Sequence, residues 1–424
     1  MRKIFILSFI TAGFFLHAQN IGNSPYAAYG IGDVKYDNTV ENSAMAGIST
    51  AYITDFTSSF NFKNPAANEN LQLTSIKIEA TNENNYFSSN FNNYKDNKHS
   101  TYLSNISIAF PLSNKVKFGL GYQPYSSKRY DVLVSETLAD GTVKANRYRG
   151  EGTVSTVQAA VSYQISPEFA LGLRTNYYFG NLHDIDELAY SNAELINGYE
   201  TRNEIANFNF TAGTTYQKKY SNDRKMTLGA TATFGNTSNP QSYYTNSTYF
   251  YNGNGVKVNE SIVNQVETKQ DNLLPVEFSL GAGFGHTARW FVGTQVDYRK
   301  GEDLQFMGHK AQYKDSYRIS AGGWILPDAN NFRNYFQRVV YRYGAYYEKG
   351  NLSINNTDIN EFGITLGAKF PFKNASLNRM TGLDVAIELG KRGTKDNNLV
   401  NQNFINLKIG FNFADKWFMK RLYN

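Results

Sequence analysis

The stretch Ile405-Asn406-Leu407-Lys408-Ile409-Gly410-Phe411-Asn412-Phe413 places a large apolar residue at every second position, with a polar, charged or glycine residue between. Successive side chains of a β-strand point to opposite faces, so this period of two marks a strand whose faces meet different environments. The same pattern recurs upstream. Met226, Leu228, Ala230, Ala232 and Phe234 interleave with Thr227, Gly229, Thr231 and Thr233. Val276, Phe278, Leu280, Ala282 and Phe284 interleave with Glu277, Ser279, Gly281 and Gly283, and Leu383, Val385, Ile387 and Leu389 with Asp384, Ala386, Glu388 and Gly390. One face is consistently apolar and the other polar, charged or glycine.

Fourteen such segments centre near residues 77, 107, 120, 160, 174, 213, 230, 280, 295, 322, 344, 365, 387 and 408. Many are long enough to cross a bilayer as a tilted strand, which takes about 9–11 residues against about 5–6 for an ordinary strand. Their connections alternate. Short turns are expected at Pro111–Lys115, Ser166–Glu168, Ser221–Lys225, Gly285–Arg289, Pro327–Gln337 and Pro371–Met380. Long polar loops are expected at Thr81–Ser100, Asp131–Gly150, Asn181–Ala206, Asn236–Leu274 and Glu302–Asp315. An even strand number with alternating short and long connections is the pattern of an outer-membrane barrel. Aromatic residues at strand ends (Tyr177 to Phe179, Trp290 and Phe291, Tyr346 and Tyr347, Trp417 and Phe418) fit interfacial girdles. The expected fold is all-β: a 14-stranded antiparallel transmembrane β-barrel with an N-terminal plug, or hatch.

Composition agrees. The chain has 424 residues, no cysteine, 18% charged residues and a mean hydropathy of −0.48, yet carries 31 Tyr, 30 Phe and 3 Trp. So many aromatics with so little charge exclude a disordered chain, and the lack of thiols excludes disulfide scaffolds and Cys-ligated metal proteins. The longest apolar run, Ile4 to Leu16, is too short to span as a helix. Preceded by Arg2 and Lys3 and followed by Ala18, it reads as a signal peptide over 1–18. Removing Arg2 and Lys3 from the 42 basic residues leaves 40 against 36 acidic ones, scattered along the chain, which gives no case for nucleic acid. With no cysteine at the cleavage point, a lipid anchor is unavailable.

The remaining divisions are a plug over 19–70, a barrel over 71–415 and a periplasmic tail over 416–424. The plug does not alternate, and a barrel of this size leaves a lumen to fill. It contains Ala46-Gly47, then Ala51, Asp55 and Asn64-Pro65-Ala66 directly before the first strand. In these residues, and in the fourteen strands that follow, the chain resembles the FadL/TodX family of outer-membrane transporters of hydrophobic compounds. Ser24-Pro25-Tyr26 and Tyr29-Gly30-Ile31-Gly32-Asp33 resemble a divergent branch of such proteins. The resemblance implies a hatch built on Gly47, Asp55, Asn64, Pro65 and Ala66, and a lateral opening at a kinked third strand. Here that strand reads Val116-Lys117-Phe118-Gly119-Leu120-Gly121-Tyr122-Gln123-Pro124. Pro124 donates no ladder hydrogen bond and Gly119 and Gly121 leave little bulk beside it, so it either gates the wall or ends the strand at the rim.

The lumen-facing charges are expected to be Lys77, Glu79, Arg174, Glu277, Asp297, Arg299, Arg318, Arg342, Lys369, Asp384, Glu388 and Lys408. Mixed signs in a narrow lumen either pair with one another and the plug, or present Arg174, Arg318 or Arg342 to a ligand carboxylate, which a guanidinium binds bidentately. No catalytic residues and no metal or cofactor site are expected: the histidines are isolated, and G-x-S-x-G and H-E-x-x-H are absent. The acidic run His183-Asp184-Ile185-Asp186-Glu187 reads as a solvated loop or a calcium site. Gly281 to Gly285 resembles a phosphate loop only superficially, since no helix follows it. The expected function is passive uptake of a hydrophobic or amphipathic molecule, such as a long-chain fatty acid, in a Gram-negative outer membrane. The alternative is a structural or accessory subunit of an outer-membrane secretion or barrel-assembly complex. Partners are the bilayer, a hydrophobic ligand or lipid, and in the alternative other outer-membrane proteins.

Overall fold

All fourteen alternating segments are strands in the computed structural model, which describes residues 22, 24–35, 39–56, 58–235, 241–269, 276–301, 303–306, 309–312, 314–331, 333–354, 356–372, 375 and 380–417. The signal peptide expected at 1–18 and the end of the chain, 418–424, lie outside the described residues. The barrel strands are β1 Thr74–Ser89, β2 Lys95–Pro111, β3 Val116–Thr137, β4 Val143–Gln164, β5 Phe169–Tyr190, β6 Ile196–Lys219 and β7 Arg224–Gly235. They continue with β8 Glu277–His286, β9 Trp290–Arg299, β10 Ser316–Ile325, β11 Val340–Lys349, β12 Glu361–Pro371, β13 Gly382–Arg392 and β14 Val400–Asp415. Each pairs antiparallel with its chain neighbour. The ladder from Thr74↔Asp415 to Ser89↔Val400 joins β1 to β14 and closes the sheet. Closure leaves no edge in the bilayer, where unpaired backbone groups cost several kcal/mol each.

The outer surface is the apolar half of the alternation: Leu173, Leu228, Leu280, Ile319, Leu366, Ile409 and Phe413 are all exposed. Outward aromatics form a row across neighbouring strands, Phe234–Phe278–Tyr298–Tyr317, with ring centroids 5.2 to 6.3 Å apart. At the opposite end, Phe284–Trp290 and Phe372–Phe413 lie 5.8 and 6.0 Å apart. These are the two girdles, with one correction. Tyr178, Phe291 and Tyr346 turn inward and are buried; alternation puts Phe291 on the face opposite Trp290.

The expected long loops are also corrected. Most of Thr81–Ser100, Asp131–Gly150 and Asn181–Ala206 is continuous strand, with turns of only five residues, 90–94, 138–142 and 191–195. β3, β4 and β5 each have 22 residues and β6 has 24. About a dozen of these exceed what a membrane crossing needs. At about 3.3 Å per residue, the excess projects some 40 Å along each strand. A hairpin, Gln241–Tyr251 and Lys257–Lys269, pairs against the top of β6 and widens this projecting sheet. Above the membrane both faces are wet, so alternation fades while the hydrogen-bonded ladder continues.

Candidate functional site: the occupied lumen

Chain from residue 40 to 71 lies inside the barrel, and glycines in the wall make room for it. A side-chain carbon on Gly172 would stand 2.3 Å from the Pro65 carbonyl carbon, and one on Gly213 would stand 2.3 Å from Asn64 Oδ1. Gly229 meets the backbone of Thr50, Gly322 that of Met45, and Gly344 that of Met45 and Ala46 in the same way. The wall pairs Gly172 with Gly213, Gly229 with Gly281 and Gly322 with Gly344, so these sites form patches of bare backbone. On them the inner chain lies directly. Its apolar side chains, Met45, Ile48, Tyr52 and Phe56, pack with the inward Phe291, Trp324 and Val340. Phe60 and Phe62 pack over Gly119.

Each expected hatch residue has a defined place. Gly47 adopts φ +87°, a left-handed conformation that glycine takes without a steric cost, and turns the chain beneath Arg318. Asp55 pairs with Lys225 of β7 and accepts a hydrogen bond from the Ala288 N–H at 2.9 Å. Asn64 is fully buried; its amide donates to Thr50 O at 2.6 Å and to Thr214 O of β6 at 3.1 Å, tying the inner chain to the wall. Its Oδ1 accepts the Ala66 N–H at 3.0 Å, while Pro65 rests on Gly172 and Gly213.

Two further asparagines, absent from the expectation, complete the turn. Asn61 Nδ2 donates to Ser49 O at 2.7 Å, and Asn68 Nδ2 to Asn61 O at 2.9 Å and Pro65 O at 3.0 Å. The spacing Asn61, Asn64, Asn68 was the available signal, because asparagine side chains satisfy backbone groups in irregular chain.

A third unexpected residue is Glu41, in the helical turn Val40–Ser43. It is 3% exposed and accepts hydrogen bonds from Lys77 Nζ at 2.9 Å, Ser59 Oγ at 2.7 Å and Tyr52 Oη at 2.9 Å, with Arg342 Nη2 at 3.4 Å. Burial alone would raise this carboxyl, but Lys77, Arg342 and Lys369 hold it well below the usual carboxylate range. Arg342 also donates to Asp384 at 2.8 Å, and Lys369 lies 3.1 Å from Asp384. One carboxylate of the inner chain thus meets cations from β1 and β11 at the hub of a buried network.

The three arginines expected to meet a ligand differ in placement. Arg342 is spent on Glu41 and Asp384 and lines neither cavity described below. Arg174 donates to Phe62 O at 2.7 Å and to Thr211 Oγ1 at 2.9 Å. Arg318 pairs with Glu348 at 3.2 Å and stacks over the Tyr346 ring at 3.6 Å. Across the lumen most of the expected charges pair with one another or with the inner chain, as Glu277 with Arg299, Glu388 with Lys408 and Lys77 with Glu41, while Asp297 accepts from Ser279 and Gln295. The acidic run 183–187 is strand, not loop, so its side chains part to opposite faces. Asp184 pairs with Lys128 at 2.5 Å, and Glu187 accepts from Tyr249 Oη at 2.7 Å. Among the described residues no group of three or more His, Asp or Glu is placed to hold a metal ion.

The third strand does part from its neighbour. β2 and β3 pair only from Pro111↔Lys117 to Ile106↔Tyr122, and a bulge interrupts β3–β4 between Pro124 and Ser126. Gly121, just below, packs on Gln158. Above that point a seam opens, and the N-terminal segment lies along it. Asp33 and Val34 pair antiparallel with Ser127 and Ser126, and the Lys35 N–H donates to Tyr125 O at 2.8 Å. Strapping the segment in place, Asp33 pairs with Arg392 at 2.6 Å, and Lys35 with Glu83 at 2.9 Å. Cavities remain beside this segment and in the lumen, two of which bear on the function. The larger, about 170 Å³, lies between residues 26–35 and 43–47 and is lined by Asp33, Lys35, Glu83, Arg318, Glu361, Glu388 and Arg392 among others. The smaller, about 80 Å³, is lined by Arg174, Glu277, Asp297, Arg299 and Arg318 among others.

A closed 14-stranded barrel with this arrangement is a FadL-type outer-membrane barrel. Its fold is shared by the toluene transporter TodX of Pseudomonas putida (TM-score 0.54, 13% identity, 89% of this chain and 97% of that one). It is shared also by a FadL homologue of Pseudomonas aeruginosa (0.56, 10%, 91% and 98%) and by the toluene transporter TbuX of Ralstonia pickettii (0.55, 12%, 88% and 97%). The model of the family described as BamG matches residues 1–424, and the chain belongs to that family. No curated protein matches it in sequence.

Proposed function

We propose that this chain is an accessory barrel of an outer-membrane complex, a docking body rather than a conduit. The observation that carries this reading is that the chain's own N-terminal segment occupies both routes a small molecule would take. Residues 40–71 fill the lumen, and Asp33–Val34 cover the seam beside β3. What space is left suits a hydrophobic passenger poorly. Ligand pockets are mostly apolar and of about 300–1,000 Å³, whereas the larger cavity here is about 170 Å³ and sets carboxylates and guanidinium groups among its aromatic and aliphatic side chains. Membership of the BamG family and the projecting, two-sided sheet of β3–β6 support the same reading. In it, residues 19–70 form a fixed plug, 71–415 the barrel, and 416–424 a periplasmic tail.

The second reading is passive uptake of a hydrophobic or amphipathic compound, with Arg174 or Arg318 meeting a carboxylate. It is favoured by the seam itself, which among the described residues is covered by two residue pairs and the Lys35 N–H bond to Tyr125 O. Gentle detergent extraction of the full chain from its own membrane, followed by native mass spectrometry, separates the two. A stoichiometric complex with other outer-membrane proteins supports the accessory role. A lone barrel carrying an apolar small molecule overturns it and supports uptake.

A further inference from the structure

The projecting sheet has two ends, and they differ. At one end the hairpin strand Lys257–Lys269 pairs, among the described residues, on one side only, and charges punctuate it at Lys257, Glu260, Glu267 and Lys269, which discourage a further strand. At the other end, β3 above residue 128 pairs with β4 and, among the described residues, with no other strand. This edge lacks the usual protection. It has no proline, and two of its three charges are engaged with the neighbouring strand: Arg147 of β4 pairs with Asp131 at 2.8 Å, and Lys144 with Glu136 at 3.2 Å, while the third, Arg129, stands at its lower end. Its centre is Val132-Leu133-Val134, three consecutive aliphatic residues, with Leu133 66% exposed. An exposed aliphatic run on a bare edge is a template for strand addition.

The molecule already adds a strand there. Asp33–Val34 pair with Ser127 and Ser126 immediately below, and the Lys35 N–H bonds Tyr125 O. That bond shows which backbone groups face the edge. By alternation along the strand they belong to the odd-numbered residues, Arg129, Asp131, Leu133 and Ser135. The N-terminal segment leaves this edge at Gly32, whose φ of +88° turns it aside against Ser127 O. Among the described residues the ladder therefore stops at residue 127, with its upper donors and acceptors facing outward.

Resting on the accessory reading, we propose that residues 129–137 of β3 form a docking edge. It receives an extended, largely apolar polypeptide segment of a partner protein, laid antiparallel as Asp33–Val34 is. Main-chain hydrogen bonds supply the affinity, and Val132, Leu133 and Val134 select aliphatic neighbours on both faces.

The test uses the full chain in the cells that make it, with the photocrosslinker p-benzoylphenylalanine placed in turn at Asp131, Leu133 and Ser135. The expected result is adducts to one partner peptide, at residues stepping by two in reverse order. Ser135→Pro removes an N–H that faces away from β4, and should lower the Leu133 adduct at least about tenfold, the effect of about 1.4 kcal/mol. Leu133→Lys, on an exposed side chain, should do the same without a backbone change. Adducts to lipid, to a second copy of this chain or to unordered sites, or adducts unmoved by both variants, overturn the docking edge. A stoichiometric complex without ordered adducts overturns this inference alone; a lone barrel overturns the accessory reading with it.

Discussion

Replacing Glu41 by Gln keeps the shape of the side chain and removes the one inner-chain charge at the hub. Lys77, 2.9 Å away and buried, then loses its only ion-pair partner among the described residues, while Arg342 keeps Asp384 at 2.8 Å. Breaking a buried pair by removing one partner costs about 3–5 kcal/mol, because the remaining charge stays desolvated. The barrel ladder does not depend on Glu41, so the cost should fall on the seating of residues 40–71. The chain has no cysteine, so a single Ala51→Cys reports on that seating: Ala51 is 1% exposed and lies against Gly281 and Gly229. At about 1.4 kcal/mol per tenfold, maleimide labelling of this thiol should quicken about 10²- to 10³-fold in Glu41→Gln. Adding Lys77→Met removes the stranded cation and should bring labelling back to within about tenfold of the parent. If Glu41→Gln labels less than about tenfold faster, or Lys77→Met rescues nothing, the hub does not hold the inner chain.

Other outcomes follow from single contacts. Gly213→Leu drives a side chain into Asn64 and Pro65, an overpacking cost of about 1–3 kcal/mol; the same thiol should label faster, whereas Gly253→Leu, with nothing within 4 Å, should leave it unchanged. Asp55→Asn strands the buried Lys225 and should expose the chain around residue 55 to limited proteolysis while the barrel keeps its mobility in a gel without heating. Above the membrane, a hydrogen bond from His183, working against burial and joined by Lys257, lowers the Glu200 carboxyl to about 2. A depressed carboxyl stabilises above its unfolded value and loses that contribution as pH falls through the folded one. The hairpin turn at 252–256 should therefore loosen between about pH 4.5 and 2, seen as rising mobility of a nitroxide on Gly253→Cys, and Glu200→Gln should be loose already at pH 6.

The barrel was legible because a membrane imposes two environments on every strand. Ile405 to Phe413 records both faces within nine residues, and the fourteen segment centres each fall within a barrel strand. Above the membrane that imprint vanishes: Asp131 to Gly150 looked like loop because water bathes both faces, although the ladder from Asp131↔Arg149 to Thr137↔Val143 is unbroken. The lumen was half legible. Polar and glycine positions announced an inner face, and Asn64-Pro65-Ala66 marked where the inner chain meets the wall. Glu41 was not visible, because a single carboxylate in irregular chain carries no period and its partners, Lys77 and Arg342, lie on strands far apart in sequence. Nor could composition separate Trp290 from Phe291, adjacent aromatics of which one meets lipid and the other packs on Tyr52 at 5.2 Å.

In the accessory reading the chain's own N-terminal segment closes the barrel to small hydrophobic molecules. Transfer of toluene into proteoliposomes containing the full-length protein measures this directly. The expected rate equals that of protein-free liposomes. A rate raised by the wild-type protein, and lowered by a disulfide joining Val34→Cys to Ser126→Cys, would contradict it.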